Sequence, residues 1–285
     1  MSFVATAKAI VGTSIGKKGT GWKPNKPDSR DRVFTPAGPH ARVLLRYGRS
    51  SNVPALENFV PAAWDQGFTS RCTGFGTGLG IVSLMNICGF STASPSSIPS
   101  VNGIYTNGRL HTLLPGEKLA DDGAYPRSVV QMIARHGAPT EAAFPSTVAR
   151  VNAVPSFAQL QDGYRFAGLR YEHITETGRE KIRALRTALL EDVRPVGFGM
   201  QVTPSYERWR GGPGAVWRPA GIDRDTGGHW QLAIGFSEDL NAVLVANSWG
   251  TSWGNSGWCW IDADVFAERA RDLTVFRDFR GVMLT

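Results

Sequence analysis

Three side chains far apart in the 285-residue chain are of the types that nucleophilic attack on a carbonyl requires. Cys72 supplies a thiol, which attacks as the thiolate and so needs a base within hydrogen-bond reach. His229, between Gly228 and an apolar run that starts at Trp230, is the candidate base. An imidazole keeps one nitrogen facing sulfur only if the other is pinned, and the amide oxygen of Asn247 can pin it without adding a full charge. Gln66, six residues before Cys72, adds a side-chain N–H that can share an oxyanion with the Cys72 backbone N–H. Singly, a cysteine is more often inert packing and a histidine a satisfied polar residue. Three blocks in one order carry weight that none has alone. The other histidines, His40, His111, His136 and His173, sit in no comparable block.

These blocks resemble those of the papain-like (C1) cysteine peptidases. Gln66-Gly67 followed by Cys72 is similar to that family's nucleophile block, and Gly228-His229 to its histidine block. Asn247-Ser248-Trp249-Gly250-Thr251-Ser252-Trp253-Gly254 with Gly257-Trp258 is similar to its asparagine block. Order and separation agree, with 157 residues from Cys72 to His229 and 18 from His229 to Asn247. Weaker similarity runs from Gly21 to the C-terminus through Gly21-Trp22-Lys23-Pro24, Pro27-Asp28, Arg30-Asp31 and Asp121-Asp122-Gly123-Ala124. It resembles the bacterial and viral branch of the family more than the plant or lysosomal one. The resemblance implies an α+β, papain-like two-lobed fold, with a helical left lobe, an antiparallel β-barrel-like right lobe and the active-site cleft between them. It also implies that Asp122, Gly123 and Gly228 belong to backbone that pairs with an extended peptide substrate, and that Trp249 shields the Asn247–His229 bond from water. For Asp122-Gly123 the plainer reading is an ordinary turn.

The chain departs from the family pattern at two positions. Thr73 stands where the best-known members carry tryptophan, and Thr69 replaces a cysteine that opens a disulfide three residues before the nucleophile. Neither change removes a catalytic group.

Composition narrows the remaining classes. With 42% apolar residues the chain can build one large domain or two lobes around separate cores. No apolar run of about 20 residues predicts a membrane span. Lys8 interrupts the short N-terminal apolar run and Lys17 and Lys18 follow it, unlike a secretory signal. The expectation is a cytoplasmic protein, placed in a host cytoplasm or a virion if the source is viral. Cys72, Cys88 and Cys259 are too few and too odd in number for a disulfide framework, and no Cys/His cluster has metal-ligand spacing. Cys88 and Cys259 read as small buried hydrophobes. The formal charge of +7 comes from scattered Lys and Arg without an aromatic-interleaved stripe, so the expected partner is a protein or peptide substrate and not nucleic acid or membrane. A protein assembly partner stays open, and no metal or organic cofactor is called for.

The elements that must position these groups can be sketched from periodicity. Residues 1–50 read as an extension with a strand-like run at Arg42–Arg46, and 51–285 as the peptidase domain, helical over about 65–190 and β-rich over about 191–285. Cys72 should open a helix carrying Phe75, Leu79, Val82 and Met85 on one face, with Gly74, Gly76, Gly78 and Gly80 marking close approach of other backbone. Further helices are expected from Pro126 to Arg135, stopped by Gly137, and from Arg179 to Glu191, ended by Pro195. Strands are expected at Val196–Val202, Trp230–Phe236, Ala242–Ala246 and Gly257–Ile261, with a turn at 238–241.

The sequence thus points to a cysteine endopeptidase working through Cys72, His229 and Asn247 and an acyl-enzyme thioester. Two alternatives remain. One is a structural or interaction protein, such as a viral particle component, that keeps a peptidase fold, a reading that Arg71 and Thr73 beside the thiol would fit. The other is a thiol amidase acting on cell-wall or isopeptide bonds.

Overall fold

A computed structural model describes residues 18–39, 41–47, 55–221 and 223–279. In chain order its elements are α1 (Ala41–Tyr47), α2 (Cys72–Ile87), α3 (Val101–Leu110), α4 (Pro126–His136), α5 (Phe157–Gly163), β1 (Leu169–His173), α6 (Gly178–Arg186), β2 (Val196–Val202), α7 (Pro204–Glu207), β3 (Val216–Trp217), β4 (Gly227–Ser237), β5 (Ala242–Ala246), β6 (Trp258–Asp262), α8 (Ala263–Arg269) and β7 (Arg271–Phe279). The strands form one sheet in the order β1-β7-β2-β4-β5-β6-β3, antiparallel except for the β3–β6 pair.

Both faces of this sheet are buried, and the period-2 alternation of side chains sorts residues between two cores. Leu232 and Ile234 of β4, Leu244 and Ala246 of β5 and Phe276 of β7 meet Phe75, Leu79, Val129 and Ile133 of the α2–α4 layer. Ala233, Val243, Val245 and Val275 face the other way and pack with Leu185, Phe198, Trp217 and Phe266. The fold is therefore α+β with helices on both sides of the sheet. One strand, β1, comes from the stretch that the sequence assigns to the helical half.

Helix α2 is buried along nearly its whole length, and its glycines let other groups approach. A Cβ on Gly76 would stand 2.6 Å from the Trp230 ring, one on Gly80 would stand 2.6 Å from the Phe276 ring, and one on Gly74 would stand 2.8 Å from Tyr105 Cβ. The glycines thus set the distance of the thiol-bearing helix from both sheet and α3. Helix α4 begins at Pro126 and stops at Gly137, whose φ of 69° suits a residue without Cβ. The helix expected over 179–191 is α-helical only to Arg186. Its last turn, Thr187–Glu191, widens to a π-helix closed by Asp192 N–H donating to the Thr187 carbonyl.

The strand-like expectation at Arg42–Arg46 is corrected. This run is helical in α1, because Val43 and Tyr47, four apart, face the body of the protein while Leu45 is exposed. Tyr47 meets Phe59 edge-on at 5.8 Å, and the Arg46 guanidinium donates to the Asn86 carbonyl at the end of α2. Among the described residues no helix is long and apolar enough to cross a membrane.

Candidate active site

Cys72 is the first residue of α2, and β4 holds His229 opposite Met200 of β2. Asn247 follows directly on β5, where its N–H donates to the Gly257 carbonyl. The sheet therefore fixes the imidazole and the amide by backbone pairing, and α2 packs on β4 with the Cys72 thiol against the backbone of Trp230, the residue after His229. His229 Nε2 lies 2.7 Å from Asn247 Oδ1. Its Nδ1 is buried with no hydrogen-bond partner among the described residues. Trp249 stacks on the imidazole with ring centroids 4.3 Å apart and planes 19° from parallel.

Gln66 is tied to the same block. Its Oε1 accepts from Ser248 Oγ at 2.6 Å, and its backbone N–H donates to the Ser248 carbonyl at 2.9 Å. Nε2 donates to the Thr69 carbonyl at 2.7 Å. That bond uses one of two amide protons, leaving the second for another acceptor. Thr69, where the resemblance would have a disulfide, instead donates Oγ1–H to the Gln66 carbonyl and accepts from Arg71 Nε.

The remaining expected residues, Asp122, Gly123 and Gly228, lie along residues 21–23 of the chain itself. Asp122 is a surface partner of Lys23, 2.9 Å away. Gly123 adopts φ of 93° and gives its N–H to the Tyr105 hydroxyl. The backbone that pairs with an extended segment is that of Ala124, which sequence reasoning did not single out. Ala124 N–H donates to the Gly21 carbonyl at 2.9 Å and its carbonyl accepts from Lys23 N–H at 3.1 Å. The Gly228 carbonyl accepts from the N–H groups of both Gly21 and Trp22.

The extended segment is the chain's own arm. Lys18 Nζ donates to the Trp249 carbonyl, Gly19 N–H donates to the Gly67 carbonyl, and the Gly19 carbonyl accepts from Trp249 Nε1. Trp22 packs with Cys72 and Trp230 in one small buried cluster. It fits because two neighbours lack a side chain: a Cβ on Gly199 would stand 2.1 Å from Trp22 Cε2, and one on Gly228 would stand 2.6 Å from its carbonyl oxygen. The indole N–H donates to Asp272 Oδ2 at 2.9 Å. Gly21-Trp22-Lys23-Pro24 was legible as a motif, but nothing in its sequence says that it lies over the thiol.

Enclosure has an electrostatic consequence. Burial pushes the Cys72 thiol up to about 12, against the opposing pull of nearby backbone N–H groups of Trp230 and Thr73. Burial pushes His229 down to about 4, against the bond to Asn247. Burial thus favours the neutral form of both groups. Among the described residues, no three His, Cys, Asp or Glu side chains gather as a metal site.

The fold has solved counterparts. It matches xylellain, a cysteine protease from Xylella fastidiosa, with a TM-score of 0.72 and 22% identity over 95% of this chain and all of that one. It also matches the bromelain protease of Ananas comosus, with a TM-score of 0.51 and 14% identity over 79% of this chain and 96% of that one. At these identities the likeness concerns fold alone. Residues 117–271, more than half of the chain, match the family described as papain family cysteine protease, and the chain belongs to that family. The matched segment contains His229 and Asn247, and Gln66 and Cys72 lie before it. An uncharacterized peptidase C1-like protein of Acanthamoeba polyphaga mimivirus is 27% identical over 166 residues, 56% of this chain and 52% of that protein. The chain thus spans about half the length of the curated relative it matches.

Proposed function

We propose that this chain is a cysteine endopeptidase that hydrolyses peptide bonds with Cys72 as nucleophile, His229 as general base and acid, and Asn247 as the group that orients His229. The observation that carries the reading is the 2.7 Å contact of His229 Nε2 with Asn247 Oδ1, which leaves Nδ1 free for a thiol proton. Cys72 Sγ attacks the substrate carbonyl carbon as its proton passes to His229 Nδ1. The C=O electron pair moves onto oxygen, held by the free Gln66 amide proton and the Cys72 N–H. Removal of such a donor in other enzymes costs about 3–4 kcal/mol. Collapse of the adduct breaks the C–N bond, the imidazolium gives its proton to the leaving amine, and a thioester remains on Cys72. Water, deprotonated by His229, then attacks the thioester, and the thiol is regenerated.

The reading requires residues 19–23 to leave the cleft, since they occupy the Ala124 and Gly228 backbone groups that an extended peptide would use. Opening would return water to the site, removing the burial that keeps thiol and imidazole neutral and favouring the thiolate–imidazolium pair. The test is mass-spectrometric labelling of the intact protein between pH 5 and 8 by an epoxide or halomethyl-ketone probe, beside Cys72→Ala and His229→Ala. Single-site labelling of Cys72 that requires His229 supports the mechanism. Labelling at Cys88 or Cys259, or indifference to His229, would overturn it in favour of a peptidase fold kept for binding.

A further inference from the structure

The two walls of the cleft that the proposed mechanism uses are joined by a polar relay outside the reacting groups. Ser70, two residues before Cys72, donates its backbone N–H to both carboxylate oxygens of Asp121, each at 3.1 Å. Asp121 Oδ1 also accepts the Tyr105 hydroxyl proton at 2.9 Å. The same hydroxyl oxygen accepts the Gly123 N–H at 2.9 Å, immediately before the Ala124 backbone that pairs with an extended chain. The relay thus runs from the nucleophile loop through a carboxylate and a phenol to the peptide-pairing loop, with the donors and acceptors consistent throughout.

Its members are themselves braced. Tyr105 lies fully buried on α3, with its Cβ beside Gly74 in the first turn of α2. The Arg109 guanidinium lies 3.9 Å over the Tyr105 ring and donates to the Ala120 carbonyl, next to Asp121. Buried Arg71 fastens the other side of the nucleophile loop to Asn102 Oδ1 of α3 and to the Ser146 carbonyl, at 2.8 and 2.9 Å. With threonine at 69, no disulfide can join these loops through that position, and Cys72, Cys88 and Cys259 are all free thiols.

We propose that Tyr105 and Asp121 are positioning residues that hold the Gly123–Ala124 backbone in register with Cys72, so that an extended peptide pairing at Ala124 presents its carbonyl to the thiol. The inference rests on the peptidase reading. Loss of the Tyr105 hydroxyl leaves the Gly123 N–H without its acceptor and frees the Gly123–Ala124 end of the loop, while the Ser70–Asp121 bonds and the aromatic packing on α2 stay.

The experiment compares second-order rates of Cys72 modification by two probes, iodoacetamide and a peptidyl chloromethyl ketone, in the full chain and in Tyr105→Phe and Asp121→Asn. Both probes need the arm to open and the thiol to ionise, so their rate ratio reports the pairing backbone. In Tyr105→Phe the peptidyl-to-iodoacetamide ratio should fall about tenfold, the loss expected for one buried hydrogen bond. Asp121→Asn, which keeps one acceptor oxygen, should lower the ratio less. A ratio within twofold of the parent in Tyr105→Phe, with a lowered melting temperature as the sole change, overturns the inference and makes the relay purely structural. If the parent reacts with neither probe at Cys72, the peptidase reading itself fails, and the inference fails with it.

Discussion

Truncating Trp22 to alanine should unmask the thiol. The indole is buried against Cys72 and Trp230, lies over Gly199 and Gly228, and donates to Asp272. Removing a buried tryptophan side chain costs about 3–5 kcal/mol. Most of this loss falls on the closed arm, because an open arm already exposes the indole to water. At the lower figure, and with about 1.4 kcal/mol per tenfold, the open population should rise about 150-fold until opening saturates. The loss of the Asp272 bond adds about 1 kcal/mol in the same direction. The assay is the rate of Cys72 labelling by an epoxide probe, with thermal melts to confirm that the body of the protein stays folded. Labelling within twofold of the parent, on a protein melting as a folded domain, would refute the argument that residues 19–23 gate the site.

A methyl group opposite the indole should act in the same sense: Gly199→Ala places a Cβ 2.1 Å from Trp22 Cε2 and should speed labelling without touching the arm, as the same assay would show. Asn247→Ala leaves the buried His229 Nε2 without its partner and should slow labelling by about tenfold or more, while Cys72 stays the labelled residue. Acidification should destabilise the closed form. A free imidazole takes its proton near 6.5 and buried His229 only near about 4, so between these values the unfolded or open state binds more proton and closed-state stability falls as pH falls. At pH 5 the loss from His229 is about 2 kcal/mol by that linkage, and burial of His173 acts in the same direction. Urea melts at pH 7 and pH 5 test this, and equal stability at both would contradict it. Gly80→Ala drives a Cβ to 2.6 Å from the buried Phe276 ring and should lower stability by about 1–3 kcal/mol in the same melts.

Much of the architecture could be read from the chain because local pattern and tertiary demand coincide there. Val196–Val202 and Ala242–Ala246 are strands with the expected bounds, and α2 opens at Cys72 as its apolar spacing requires. Helix α3 was missed because Gly103 and Gly108 weaken its propensity. Both are needed for contact, since a Cβ there would strike Pro139 or Val129. The signal was its start, where Ser100 caps the helix by accepting the Gly103 N–H. Strand β7 was missed because both its faces are buried, so Leu273, Thr274, Val275 and Phe276 show no polar alternation. At the site, His229 and Asn247 were legible from their chemistry and from blocks that resemble the family's, and the β4–β5 hairpin that joins them is local in sequence. The arm over Cys72, the pairing at Ala124 and the Asp121–Tyr105 relay depend on chain segments brought together from far apart, and no local pattern announces them.

The most direct test of the central claim is the mass of the covalent intermediate. The protein would be mixed with an activated peptide ester at pH 6–7, quenched in acid within seconds and examined by intact-mass and peptide-level spectrometry. An adduct of the acyl group on Cys72, absent in Cys72→Ala and failing to turn over in His229→Ala, is the predicted result. Hydrolysis that persists in Cys72→Ala, or an acyl group found only on another residue, would contradict it.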